Sequence, residues 1–205
     1  FDLTDVNLLD KIADSLPKIQ GETNNKKIII LSCISKDLPS RFRDGLSIVV
    51  SSKSSAGKST LIDNCLKPFQ DDVFNFTSFT DSFFQRHIRD RSLNGVISHQ
   101  EQAEKTNFSG QVILDIPKFQ LSEGNTKTGL SERDKNGKFT ATVLQVSGFP
   151  VYITSTTNPD IEPQVLNRIV LLQTDESETQ TKLVKKSILN QYSTNPEIKT
   201  NDNLS

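Results

Sequence analysis

A Gly-Lys-Ser motif at residues 57–59 is the part of this sequence most typical of phosphate chemistry. It lies in IVVSSKSSAGKST (48–60), which matches the phosphate-loop pattern G-x-x-x-x-G-K-[ST] except that Ser52 replaces the first glycine. In such a loop, backbone N–H groups and a helix N-terminus bind phosphate oxygens. We therefore predict that Lys58 reaches the terminal phosphates and that the Ser59 hydroxyl binds Mg²⁺.

The residues around this motif have the composition of a nucleotide cradle. The predicted binding residues are Ser54, Ser55, Ala56, Gly57, Lys58, Ser59 and Thr60. The small side chains leave room for the backbone to approach the phosphates, and glycine allows a positive φ. A β-branched run (46–50) precedes the loop and an amphipathic segment (59–69) follows it, so the strand and helix that the motif requires are both predicted. The expected cofactors are ATP and Mg²⁺.

Phosphoryl transfer at such a loop also needs a carboxylate near the metal. VILDI (112–116) offers Asp115 after an apolar run. GVISHQEQ (95–102) offers Glu101 after a shorter run, with Gln100 at the position where an acid would normally stand. The residues by themselves leave both candidates open.

Polar residues follow the predicted strand VYITSTTN (151–158). Thr157 and Asn158 are candidates for sensing the γ-phosphate or orienting water, although an ordinary turn at a strand end would use the same residues. Arg168 stands just before the last predicted strand. An arginine there can stabilise phosphoryl-transfer charge in a neighbouring subunit, whereas the plainer interpretation is a surface salt bridge.

The segment 129–148 has the pattern of a β-hairpin. Asn136-Gly137 stands at the turn, and the residues after it alternate in polarity as in a strand. The basic residues around the turn are Arg133, Lys135 and Lys138. We predict that they contact nucleic-acid phosphates, with a solvated turn as the alternative.

The remaining pattern alternates strands with helices, which predicts a mostly parallel three-layer α/β fold to which the hairpin is added. A helix is expected at 4–16 behind a Thr4 cap, whereas the apolar run 26–34 fits a strand or a helix. The organisation predicted is an N-terminal helical lead-in (1–45), a core (46–173), and a C-terminal helix with a polar tail (174–205).

The composition limits the classes of function. The 205 residues carry a net charge of −1, so nucleic-acid binding requires a local basic patch. Cys33 and Cys65 lack the spacing of a zinc site, and two buried thiols are expected. No apolar run approaches the roughly 20 residues of a membrane span, so we expect no membrane partner and a cytoplasmic protein.

The order of these features resembles AAA+ ATPases that carry a β-hairpin before the sensor strand. It is most similar to the helicase-like ATPase domains of primase-linked replication proteins from phages, plasmids and some archaea. The segments that carry the resemblance are 21–27, 54–61, 121–124, 153–162, 167–169 and 175–181.

The resemblance implies a replicative DNA helicase or translocase that forms a hexameric ring, with hairpins lining a central channel and a primase module or partner. Its motif order favours Glu101 over Asp115 as the catalytic carboxylate and metal ligand, and Gln100 departs from the family pattern. Two alternatives stay open. One is a nucleotide-binding assembly module with weak or no hydrolysis, and the other is a small-molecule kinase.

Overall fold

The computed structural model describes residues 4–16, 19–38, 46–53, 57–76, 92–101, 123–133 and 137–194. The apolar run with Asp115 (112–116) lies outside the described residues, as does the polar tail from 195 onward.

Two helices precede the sheet, α1 (Leu8–Ser15) and α2 (Thr23–Ser35). The predicted cap at Thr4 is wrong, because α1 begins at Leu8 with Asn7 at the cap position. The ambiguous run 26–34 is helical. Its apolar residues lie on all sides of α2, some buried and others, such as Leu31, exposed, which is why periodicity gave no decision.

Five parallel strands form the main sheet in the order β2-β3-β6-β1-β7. They are β1 (Ser47–Ser51), β2 (Val73–Phe76), β3 (Ile97–Glu101), β6 (Val151–Thr156) and β7 (Ile169–Gln173). Strands β1 and β6 are central and buried throughout, as expected for parallel strands covered on both faces. The carboxyl ends of all five strands therefore meet at one edge, which is called the carboxyl edge below.

The core divides between the two faces of the sheet. Ile48 and Val50 pack with α1, α2 and α3 (Lys58–Leu66) on one face, whereas Val49 packs with Leu93 and Val165 on the other. A 3₁₀ turn (Lys67–Asp72), containing Pro68, follows α3, and the short helix α4 (Pro163–Leu166) precedes β7. The last helix is α5 (Glu178–Thr194). The predicted α/β class, with a parallel sheet flanked by helices, is confirmed.

Both cysteines lie in the α2–α3 side of the core as buried, unbonded thiols, as predicted. Burial raises the pKa of Cys33 to about 12, and the neighbouring Cys65 adds to that shift. Burial likewise raises the pKa of Cys65 to about 12. Both thiols are therefore protonated and unreactive at neutral pH.

The predicted hairpin is present and starts earlier than expected, with β4 at Asn125–Arg133 and β5 at Phe139–Ser147. Its base is fixed beside the amino end of β3, where the Leu93 N–H donates to the Ser147 carbonyl at 2.7 Å. Gly148 has a φ of 103°, and a Cβ there would lie 2.8 Å from the backbone nitrogens of Leu93 and Asn94. The hairpin therefore leaves the sheet at the edge opposite the carboxyl edge.

Within the part of the chain that the structure describes, no helix combines the length and apolar character needed to cross a bilayer.

Candidate nucleotide-binding site

The Gly-Lys-Ser motif lies between the end of β1 and the start of α3, at the carboxyl edge. Ser52, which replaces the usual glycine, is buried, and its N–H donates to the Thr156 carbonyl at 3.3 Å. Glu22 is the non-glycine residue with a positive φ among those described, so Ser52 does not take the left-handed conformation. Serine is therefore compatible with the loop because the backbone at this position does not require glycine.

Gly57 and Lys58 form the other end of the loop. Gly57 caps α3 with a φ of 81°, and a Cβ there would meet nothing within 4 Å, so its requirement is conformational. The Lys58 Nζ donates to the carbonyls of Ser52 and Lys53 at 2.9 and 3.0 Å. Lys58 thus ties the two described ends of the loop together. Ser54, Ser55 and Ala56 lie outside the described residues, and Ser59 and Thr60 are exposed on the first turn of α3.

The strand register brings the other predicted groups to the same edge. Thr156 pairs with Ser51, and Glu101 pairs with Ser155. Glu101 therefore ends a strand two positions from β1, or about 10 Å away at ordinary interstrand spacing. Its place on the strand is described but its side chain is not, and Asp115 lies outside the described residues.

The end of β6 is a turn braced by Thr156. The Thr156 Oγ1 donates to the Asn158 carbonyl at 3.1 Å and accepts from the Asn158 N–H at 3.2 Å. The Asn158 Oδ1 accepts from the Asp160 N–H at 2.9 Å. One function of Asn158 is therefore to hold the turn, and Thr157 is exposed between these two anchored residues.

A cavity of about 540 Å³, which the sequence did not reveal, opens beside the loop. Its lining includes Gly57 and Thr60 from the loop side, and residues before α2 and on α5 from the other side. The apolar lining comprises Ile19, Leu61, Val184 and Ile188, and most of the other lining residues are polar or charged, among them Gln20, Thr174, Gln180, Glu22, Asp175 and Glu176. Small-molecule sites likewise combine apolar side chains with polar groups.

Hydrogen bonds fix the three segments that form this cavity. The Gln180 Nε2 donates to the Gln20 carbonyl, and the Asp175 N–H donates to the Glu22 Oε1 at 2.7 Å. The Glu176 Oε1 accepts from the Lys53 N–H at 2.7 Å. The carboxylate of Glu176 thus holds the first part of the loop against the β7–α5 junction.

Thr174, directly after β7, lines the same cavity with a buried hydroxyl. Among the described residues, the Thr174 Oγ1 has no hydrogen-bond partner. A buried hydroxyl without a partner costs free energy unless a ligand or water supplies one.

Arg168 lies away from these groups. It stands just before Ile169, which pairs with Ser47 at the start of β1, so about 13 Å of strand separates that pair from the carboxyl edge. Arg168 is exposed, and its Nη1 donates to the Gln164 carbonyl at 2.5 Å. The structure therefore does not bring Arg168 to the loop of its own chain.

The basic hairpin residues are partly described. Arg133 and Phe139 face each other in the ladder, and the Arg133 guanidinium lies over the Phe139 ring, 4.8 Å from its centroid. Lys138 is exposed beside them, and Lys135 lies outside the described residues.

Comparison with protein-family models gives no match, and comparison with curated proteins gives none either. Among solved structures, the apo C-terminal region of NrS-1 (305–718) is similar, with a TM-score of 0.45 and 17% identity over 89% of this chain. The A form of the same region gives a TM-score of 0.42 and 18% identity, also over 89% of this chain. The chain spans 42% and 41% of the length of these two structures.

Proposed function

We propose that this chain is an ATPase that hydrolyses Mg-ATP as part of a ring-forming DNA helicase or translocase. One observation carries the proposal. The start of α3 with Lys58, the turn at the end of β6 and the strand end at Glu101 converge on one edge of a parallel sheet. Ligands of open parallel sheets bind at this edge.

The phosphates of ATP would bind at the start of α3. The helix N-terminus supplies backbone N–H groups and a partial positive charge. The Lys58 ammonium now donates to two neutral carbonyls. Phosphate oxygens are stronger acceptors for a cation, so we expect Lys58 to exchange these bonds for bonds to the terminal phosphates.

Magnesium would be held by the Ser59 hydroxyl, a carboxylate at Glu101 and the phosphates themselves. Mg²⁺ in phosphoryl-transfer sites commonly uses one or two carboxylates together with substrate oxygens and water. When bound, it neutralises charge that develops on the transferring phosphoryl group. Thr157 and Asn158 directly follow β6 at the carboxyl edge and would sense the γ-phosphate or orient water.

The nucleoside would occupy the cavity beside the loop. Its volume of about 540 Å³ falls within the usual range for small-molecule sites. Leu61 and Val184 offer apolar contacts for the base, and the unpartnered Thr174 hydroxyl offers a hydrogen bond. Because the cavity reaches Gly57 and Thr60, a nucleoside there would have its phosphates at the loop.

The position of Arg168 supports action between subunits. Arg168 is exposed at the edge opposite its own loop, so it would complete the site of a neighbour in a ring. The hairpin leaves the sheet at that same edge, and the buried strand β6 connects the hairpin base to the turn at Thr156. Strand β6 would therefore couple ATP hydrolysis at the loop to movement of the hairpin. Such coupling is what a motor that moves DNA through a hexameric ring requires. We expect this ATPase to act together with a primase module or a primase partner.

A nucleotide-binding assembly module is the second candidate, because Gln100 stands where an acid normally precedes the catalytic carboxylate. ATP turnover separates the two functions. Lys58→Ala is expected to abolish ATP turnover, whereas Lys182→Ala removes an exposed side chain on α5 that does not line the cavity and is expected to retain it. Tight ATP binding without turnover in the unmodified protein, with or without DNA, would favour the assembly module.

A further inference from the structure

The hairpin carries an exposed aromatic ring in contact with a guanidinium. Phe139 is 63% exposed, and Arg133 lies over its ring in a cation–π contact. An exposed phenylalanine paired in this way is held in place but keeps most of its surface accessible. The contact also shows that Arg133 does more than present a positive charge to solvent.

The same face of the hairpin is exposed along its length. The register pairs that share it are Lys127 with Gln145, Gly129 with Val143, Ser131 with Ala141, and Arg133 with Phe139. All eight residues are exposed, and Val143 is 66% exposed. Gly129 leaves the middle of the face without a side chain, and the space around it is open, since a Cβ there would meet nothing within 4 Å. We call this surface the hairpin face.

The charge of the hairpin face selects its partner. Its eight residues include the cations Lys127 and Arg133 and no acid, and Lys138 adjoins Phe139 along the chain. A partner that is both polyanionic and able to pack on a flat ring is a nucleic acid. In a duplex the faces of the bases are already stacked, whereas a single strand offers free base faces to an aromatic ring.

We propose that the hairpin face binds single-stranded nucleic acid by stacking a base on Phe139, with Arg133 holding the ring and Lys127 contacting the backbone. The inference rests on the proposed function, since it gives that function a substrate class and a contact residue. Stacking on a ring accepts every base, so binding has little dependence on sequence.

Tryptophan fluorescence tests this contact directly, because the chain contains no tryptophan. In Phe139→Trp, titration with oligothymidylate should quench the fluorescence strongly, and a duplex of matched length should quench it little. Leu31→Trp is the control, since Leu31 is exposed on α2, away from the hairpin. Unquenched fluorescence at position 139 in the presence of bound oligothymidylate would overturn the proposal.

A second substitution separates stacking from charge. Phe139→Leu keeps the apolar character but removes the ring, so we expect single-strand affinity to fall by about tenfold or more with an unchanged salt slope. Lys127→Ala should instead reduce the slope. Equal affinity of Phe139→Leu and the unmodified protein would contradict stacking. Basal ATP turnover without nucleic acid should stay unchanged in Phe139→Leu, so a failure here is distinguishable from loss of the proposed ATPase function.

Discussion

Lys58 and Arg168 lie at opposite edges of one parallel sheet. Lys58 begins the helix that follows β1, whereas Arg168 stands before β7, whose first residue pairs with the first residue of β1. Five residues of paired strand separate the two edges. If both residues act on the same ATP molecule, they must come from different copies of the chain.

Substitution of the two candidate carboxylates distinguishes their roles. Glu101→Gln should lower ATP turnover by about 100-fold or more while ATP still binds, because an amide cannot accept the proton of the attacking water. Asp115→Asn is the matched change and should leave turnover close to normal. Steady-state turnover and equilibrium nucleotide binding measure the two effects. The reverse pattern, with Asp115→Asn inactive and Glu101→Gln active, would assign the role to Asp115.

Filling the cavity beside the loop should weaken nucleotide binding. Val184 lines the cavity, so Val184→Trp is expected to raise the KM for ATP about tenfold with little change in kcat. Leu189→Trp is the control on the same helix, since Leu189 is 68% exposed and does not line the cavity. Equal KM values for the two tryptophan variants would show that the base binds elsewhere.

The hairpin base depends on Gly148. Gly148→Ala adds a Cβ 2.8 Å from two backbone nitrogens at a φ of 103°, so it should lower the free energy of unfolding by about 2 kcal/mol or more. Gly129→Ala, within β4, has open space and should be nearly neutral. Urea unfolding measures both variants. A Gly148→Ala protein as stable as Gly129→Ala would mean that the hairpin base is not rigid.

The fold follows from the sequence where local pattern is strong. The strand predicted after Arg168 is present as β7 (Ile169–Gln173), because its first four residues are β-branched or large and apolar and stand between polar ones. The run 26–34 gave no decision, because a helix that is apolar on all sides has no distinguishing period. The hairpin begins at Asn125, four residues before its predicted start. The prediction missed these residues because they are all polar and therefore show no alternation of polar and apolar side chains.

The loop was predictable and the cavity was not. Gly57 and Lys58 are adjacent in sequence and carry their own signal. Ile19, Leu61 and Val184 come from three distant segments, and each has the look of an ordinary core residue. Only the tertiary arrangement, fixed by bonds such as Asp175 to Glu22, brings them together. The contact of Arg133 with Phe139 was also missed, because charge alone suggested a phosphate ligand.

Subunit mixing tests most directly whether the ATP site is shared between copies of the chain. Lys58→Ala and Arg168→Ala should each be inactive, but a mixed ring contains interfaces where an intact Lys58 meets an intact Arg168. At equal proportions, random mixing gives such interfaces at about a quarter of all positions, so about a quarter of normal ATP turnover should return. Mixed assemblies that form but remain inactive at every ratio, or an Arg168→Ala protein with full activity, would contradict a site shared between subunits.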